Sequence, residues 1–276
     1  MPTPQTPAEL LAAKAMPKAE LDALYAAITA ARPAQEAAYA AWLESGGVDK
    51  EALVAQAAAL GISLDVDGGQ VAYAPDFEER KLPLCFDFIY CRHGKTTGNT
   101  EPRVYQGYVD EPSNALNEIG LAQAQEAADK LDALGLDPDL VVFSPLSRAS
   151  ETGEAYVRRH EATLRARTEV WEDAAEMRFG SWDNQMVKDL PAECICHLFY
   201  LAQNAVVRPD APYVAPDGNR VDAENFVQVL ARMRRGILVP VRGLLHRGRD
   251  GRRAGRGHPR RAVPARGRQV LVRRPA

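Results

Sequence analysis

The chain has 276 residues, 46% of them hydrophobic and 26% charged, and a formal net charge of −3. That is enough material for one sizeable core plus an accessory region. No apolar run reaches the roughly 18 residues of a membrane span and no basic-then-apolar leader opens the chain, so a cytoplasmic protein without a membrane partner is expected.

The first 80 residues read as a helical region with a β-hairpin. Thr6-Pro7-Ala8-Glu9 is a capping box with proline in the first turn, and it opens a helix that ends before Pro17. Further helices are expected from Pro17 to Ala31, from Pro33 to Leu43 ahead of Gly46-Gly47, and, capped by Asp49, from Lys50 to Leu60. Ile62, Leu64 and Val66 then alternate towards Asp67-Gly68-Gly69, with Val71 and Tyr73 returning, as in a hairpin. Alanine-rich helices bury narrow faces, and these suit a lid, a homo-oligomer contact or a structural extension.

Phe86-Asp87-Phe88-Ile89-Tyr90-Cys91 reads as a buried strand, its cysteine included. It ends in Arg92-His93-Gly94-Lys95-Thr96-Thr97-Gly98-Asn99, a polar loop with an arginine and a histidine side by side. A neutral imidazole can attack phosphorus while a guanidinium holds phosphate oxygens in pairs and offsets the developing charge. A loop histidine next to a surface arginine is the plainer alternative. Leu140-Val141-Val142-Phe143 is a second short strand, and it leads into Ser144-Pro145-Leu146-Ser147-Arg148-Ala149-Ser150-Glu151-Thr152. The proline opens a helix and puts Arg148 in its first turn, where backbone amides and the helix dipole favour an anion. Glu176-Met177-Arg178-Phe179-Gly180-Ser181-Trp182-Asp183 then offers a carboxylate before an aromatic and glycine turn, with Trp182 as a partly buried anchor.

At these three segments the chain resembles the histidine phosphatase superfamily, the phosphoglycerate mutase-like proteins, over residues 84 to 240. The family's opening motif is met by Arg92, His93, Gly94, Thr96 and Asn99, and its second by Ser144, Pro145, Leu146, Arg148, Ala149 and Thr152. Its acid motif is met by Glu176, Phe179, Gly180 and Trp182. The resemblance implies an α/β fold with a mostly parallel sheet flanked by helices. It also implies hydrolysis of a small phosphorylated metabolite through a phosphohistidine on His93. Arg92, Arg148 and Asn99, with Thr96 of the same motif, would hold the phosphate, and Glu176 would protonate the leaving alcohol. A glutamate in that role needs a raised pKa, which burial against Phe179 or Trp182 would supply. Gln106 and Gly107 look like the Gln-Gly form common in the family's phosphatases and are expected among the substrate-binding residues, and the short stretch after Glu176 favours hydrolysis over mutase phosphotransfer. The scheme needs no cofactor and no metal. Cys194-Ile195-Cys196-His197 does not have a usual zinc spacing, and the four cysteines show no disulfide framework.

The far end departs from the family. After the proline-rich loop 209–218, a helix is expected from Asp222 to about Arg235, with Phe226, Val229, Leu230 and Met233 as its apolar stripe. Glu224 and Asn225 are expected to face the substrate, and Arg232, Arg234 and Arg235 to form the solvated face. The family then carries a second catalytic histidine in a His-Gly motif after a strand, but no His-Gly follows Glu176 here, and His197, His246 and His258 stand in other surroundings. From residue 242 to 276 there are twelve arginines and a single acid, Asp250. The remaining 241 residues carry 22 basic and 36 acidic groups, a net of −14. An arginine-rich tail is a conventional nucleic-acid binder, yet the acidic remainder would repel a polyanion. Translation of GC-rich DNA out of frame gives the same composition. Read one base later, the codons of Gly257 to Arg266 permit Val-Thr-His-Gly-Gly-Pro-Phe-Leu-Arg-Glu, which contains the missing motif. The expected organisation is a helical region with a hairpin over 1–80, an incomplete phosphatase core over 81–241 and an irregular tail over 242–276. The second functional reading is an inactive remnant that keeps the phosphate pocket.

Overall fold

The N-terminal helices form where local signals place them. The computed structural model describes residues 6–80, 87, 89–215 and 217–237. In it Thr6 and Glu9 close a reciprocal capping box on α1 (Pro7–Lys14), with Pro7 at the first helical position. There follow α2 (Lys18–Ala30), α3 (Arg32–Glu44) and α4 (Lys50–Ala59), the last capped by the Asp49 side chain on the Ala52 N–H. The hairpin pairs β1 (Ile62–Asp65) with β2 (Gln70–Tyr73), Ile62 lying opposite Tyr73, and a short α5 (Phe77–Arg80) follows it.

The narrow faces of these helices are buried against later parts of the chain. Tyr39, Leu43, Leu53 and Ala57 share one core with Leu198, Val206, Val207 and Val227, and Ile28 joins Tyr105, Val187 and Cys196 in another. Gln35 fixes the junction by donating to the carbonyl oxygens of Ile28 and Ala192 at 2.8 and 2.7 Å. The residues up to Ile237 belong to one compact unit.

The chain is α/β. Its parallel pair joins β3 (Val141–Phe143) to β4 (Thr168–Val170), with Val141 opposite Thr168. Between the two strands run α7 (Ser147–Val157) and a short α8 (Glu161–Leu164), and α6 (Glu118–Ala133) precedes them. Ala124, Ala128, Phe143, Tyr156 and Leu164 pack together as the core of this layer. α7 lies close to the strand because Gly153 leaves room for the Phe143 ring, which an added Cβ would meet. Downstream come α9 (Cys196–Ala202) and the small antiparallel pair β5 (Tyr213–Val214) with β6 (Arg220–Val221). The last described helix covers residues 226–237. It begins later than expected because Asn225 and Gln228 exchange backbone-to-side-chain hydrogen bonds at 2.9 and 3.0 Å, capping it. Among the described residues no helix is long and apolar enough to cross a membrane.

One expected element differs. The described part of Phe86–Cys91 is not a buried strand: Ile89 and Tyr90 are 50% and 74% exposed, Cys91 is exposed, and residues 89–91 lie outside any helix or strand. An apolar run supplies the side chains of a strand, but a strand also needs a hydrogen-bonded neighbour. Among the described residues β3 pairs with β4 alone. The tail with His246 and His258 lies outside the described residues, and with it the expectation of irregular structure there.

Candidate active site

The Arg-His-Gly loop is docked through backbone groups. The Gly94 N–H donates to the Thr152 hydroxyl at 3.0 Å, and that hydroxyl donates to the Arg148 carbonyl oxygen at 2.8 Å. A Cβ on Gly94 would collide with the Gly120 backbone, so glycine at both positions lets the loop touch the first turn of α6. Further along, the Thr96 hydroxyl donates to Gln106 Oε1 at 2.6 Å and accepts from the Asn99 N–H at 3.2 Å. Asn99 Oδ1 in turn accepts from the Thr96 N–H at 3.2 Å. Thr96, Asn99 and Gln106, all expected near the phosphate, therefore form one hydrogen-bonded group. Gln106 Nε2 ties it to the Asn114 carbonyl oxygen at 2.8 Å.

Arg148 is only 1% exposed. Its guanidinium donates to the carbonyl oxygens of Gly107 at 2.7 Å and Val109 at 3.4 Å. Burial lowers its pKa, and the nearby acids Glu176, Asp110 and Asp183 favour its charge. The N-terminus of α7 was expected to receive a ligand anion, but it already holds one. The Ser147 N–H and hydroxyl donate to the Asp110 carboxylate at 2.8 and 2.7 Å. Behind Gly107 sits the buried Asp183. A Cβ on Gly107 would run into its Oδ1 and come within 2.7 Å of the Met177 carbonyl oxygen. Asp183 Oδ2 accepts from the Phe179 N–H at 2.9 Å, and burial pushes its carboxyl up to about 7.

His93 is half-buried, with Nδ1 2.7 Å from the Gly94 carbonyl oxygen. A carbonyl can only accept, so Nδ1 carries the proton and Nε2 keeps its lone pair. Burial depresses the imidazole pKa. The Gly94 contact opposes that shift, Arg148 and Arg92 push it down further, and Glu176 raises it. Arg92 itself is exposed.

Glu176 is not buried against Phe179 or Trp182 as expected. It is exposed, with Oε1 accepting from the Met177 N–H at 2.8 Å. The ring of Phe179 is taken up elsewhere, against Tyr105, Phe199 and Tyr200.

The helix after β6 also departs from expectation. Arg232, expected on a solvated face, is 3% exposed. Its guanidinium pairs with Glu224 at 2.8 Å and donates to the carbonyl oxygens of Asp173, Ala175 and Glu176 at 2.8, 2.8 and 3.0 Å. Glu224 and Asn225, expected to face the substrate, are instead this arginine's partner and the helix cap. Arg232 thus grips the backbone that presents Glu176. Glu224 lies ahead of the helix, so no helical spacing marked the pair in the sequence.

The other described histidines are engaged elsewhere. His197 contacts the Tyr105 hydroxyl at 2.9 Å and the Pro191 carbonyl oxygen at 3.0 Å, and His160 contacts Asp132 at 2.5 Å. Among the described residues no His/Cys/Asp/Glu group is arranged to hold a metal, Cys194 to His197 included.

The model of the histidine phosphatase superfamily (branch 1) matches residues 88–239. A mannitol-1-phosphatase of Eimeria tenella is 37% identical over 234 residues, which is 79% of this chain and 74% of that protein. Among solved structures, a mycobacterial glucosyl-3-phosphoglycerate phosphatase aligns at 25% identity and a TM-score of 0.41, over 56% of this chain and 61% of its own. The alpha-ribazole phosphatase of Shigella flexneri aligns at 22% and 0.42, over 56% and 66%. The chain therefore spans under two thirds of these solved proteins. With more than half of its length matched by the family model and most of it by the Eimeria relative, the chain belongs to the histidine phosphatase superfamily, and by family it is a phosphoric monoester hydrolase.

Proposed function

We propose that the chain hydrolyses the phosphomonoester of a small metabolite through a phosphohistidine on His93. The reading rests on the His93 Nδ1–H bond to the Gly94 carbonyl oxygen, which frees the Nε2 lone pair where Arg148 and Arg92 are the fixed positive charges. Nε2 attacks phosphorus, and the ester oxygen departs with a proton from Glu176. Water then attacks the phosphohistidine, Glu176 takes a proton from it, and free His93 and phosphate result. Arg92 and the remaining donors of Arg148 stabilise the phosphoryl oxygens, and the group of Thr96, Asn99, Gln106 and Gly107 shapes the loop around them. The scheme uses no metal or cofactor, and the working environment is the cytoplasm. The similarity to a mannitol-1-phosphatase makes sugar-alcohol phosphates the first substrate class to test.

Phosphate release from p-nitrophenyl phosphate and mannitol 1-phosphate tests the reading. Activity should survive chelator and vanish in His93→Ala, and a chelator-sensitive activity or an active His93→Ala would overturn it. A second reading is a chain that binds phosphate without turning it over. It is favoured by the engagement of His160 and His197 away from His93. Vanadate binding that depends on Arg148, without hydrolysis of either ester, would select it.

A further inference from the structure

We propose that Lys14, the last residue of α1, is a positioning residue for the phosphate loop, holding residues 97–100 in the shape that the Thr96–Asn99 group requires. The proposal rests on the reading of that loop as the phosphate-binding one.

Lys14 is 2% exposed although it sits on a short helix near the start of the chain. Its ammonium donates to the carbonyl oxygens of Thr97 and Thr100 and, at 3.4 Å, of Gly98. Lysine is almost never buried without partners. Here the partners are backbone oxygens more than eighty residues away, converging on one point. Three acceptors that meet at a point match a group with three donors and no acceptor, which an ammonium is.

The grip reaches the site through the peptide plane. In a trans peptide the N–H points away from the C=O. The Gly98 oxygen faces Lys14 and the Val104 N–H, the latter at 2.8 Å, which turns the Asn99 N–H the other way, and that N–H donates to the Thr96 hydroxyl. The same hydroxyl donates to Gln106. Neighbouring contacts hold the loop from the next helix, α2. The Tyr25 hydroxyl of α2 donates to Glu101, which also receives Arg103 at 2.8 Å. The N-terminal region thus has a part in the site beyond covering the core.

The charge of Lys14 is pH-sensitive in a useful range. Burial lowers its pKa to about 8, Glu101 favours the charged form, and Arg103 and Lys95 oppose it. Above that pH a neutral amine has two N–H groups for three oxygens. The folded value lies below the ordinary 10.5, so the unfolded chain binds more protons across that interval. This group therefore adds stability as pH rises through it. A loss of substrate affinity in the same interval would report the loop and not unfolding.

The experiment uses the full chain. KM and kcat for p-nitrophenyl phosphate are followed from about pH 6 to about pH 10 in wild type, Lys14→Met and Lys14→Arg. Amide hydrogen exchange is followed over residues 96–101. In wild type KM should rise roughly tenfold through pH 8 with kcat little changed, the size of one hydrogen bond to a charged group. Lys14→Met should hold the raised KM at every pH and exchange faster over 96–101, and Lys14→Arg, charged throughout, should lose the step while keeping KM below that of Lys14→Met. Unchanged KM and unchanged exchange in Lys14→Met would overturn the proposal. If Lys14→Met does not fold, a wild-type step retained in Lys14→Arg overturns it instead. If wild type hydrolyses nothing, the phosphatase reading fails, and the exchange comparison still decides the grip on the loop.

Discussion

The Arg148 guanidinium donates to the carbonyl oxygen of Gly107 at 2.7 Å, so the arginine assigned to the phosphate also fixes the loop beside it. Gly107 in turn is backed by Asp183, Phe179 and the Met177 carbonyl oxygen, with no room for a methyl group. Gly107→Ala should therefore force the loop off Asp183 and shift Arg148 with it. Overpacking of this kind costs about 1 to 3 kcal/mol. Urea unfolding should show that loss, and kcat/KM should fall by more than the small change in folded fraction explains. A variant with wild-type stability and kcat/KM would show that the contact can relax.

Arg232 and Glu224 make a second test. Both are buried, and the arginine also serves three carbonyl oxygens around Glu176. Arg232→Met leaves the buried Glu224 with only Arg178, 3.8 Å away, as a cationic neighbour, a loss of up to about 3 to 5 kcal/mol. Glu224→Gln with Arg232→Met should recover part of it, because the stranded charge is gone. Denaturation of the single and double variants measures both, and equal stability of the two would mean that Arg178 or water takes up the Glu224 charge.

The local elements were legible in the sequence because their causes are local. The Thr6–Glu9 box, the Asp49 cap and the Gly68-Gly69 turn each act within a few residues, and α1, α4 and the hairpin follow from them. The site's residue types were legible through three ordered motifs. The burial of charges was not. Arg232 and Lys14 are held by carbonyl oxygens that only the folded chain brings together, and nothing in the neighbouring residues marks either as buried. The strand expected before Arg92 failed for a related reason, since its pairing depends on a distant segment.

The imidazole of His93 should titrate below the ordinary histidine value of about 6.5, since burial and the two arginines all disfavour its charge. The neutral, nucleophilic form then persists as pH falls through that value. Because the folded pKa is the lower one, protonation of this group weakens the fold only as pH drops below 6.5. NMR titration of the His93 ring protons measures this directly. Arg92→Gln removes a like charge and should move the midpoint upward, and a midpoint at or above 6.5 in wild type would contradict the burial argument.

Glu176 carries the proton in the proposed scheme, and its exposed side chain leaves it replaceable without disturbing the core. Glu176→Gln should slow hydrolysis by about 10² to 10⁴, the usual share of a general acid. The loss should be smaller for p-nitrophenyl phosphate, whose leaving group needs little protonation, than for mannitol 1-phosphate. Equal losses on both esters would move the acid role elsewhere.

The composition of the tail makes a prediction about its DNA. An independent clone sequenced across codons 236 to 276 should carry the frame that reads His-Gly-Gly-Pro where Gly257 to Arg266 now stand, and that version should surpass the present chain in kcat. The present frame found intact would sink the idea.

Asp183 is a buried acid that the scheme does not use, and its pH behaviour follows from its place behind Gly107. Burial raises its carboxyl from 3.8 to about 7 in the fold. Between those values the folded chain holds a proton that the unfolded chain has released, so this group's contribution is present below about pH 4 and is lost as pH rises through 7. Asp183→Asn removes the titration while keeping an oxygen to accept the Phe179 N–H. The variant should come closest to wild type in stability at about pH 4 and increasingly exceed it up to pH 8, as read by urea midpoints at the two pH values. A variant less stable than wild type at pH 8 would mean that the ionised carboxylate is held by Arg148 more strongly than burial opposes it.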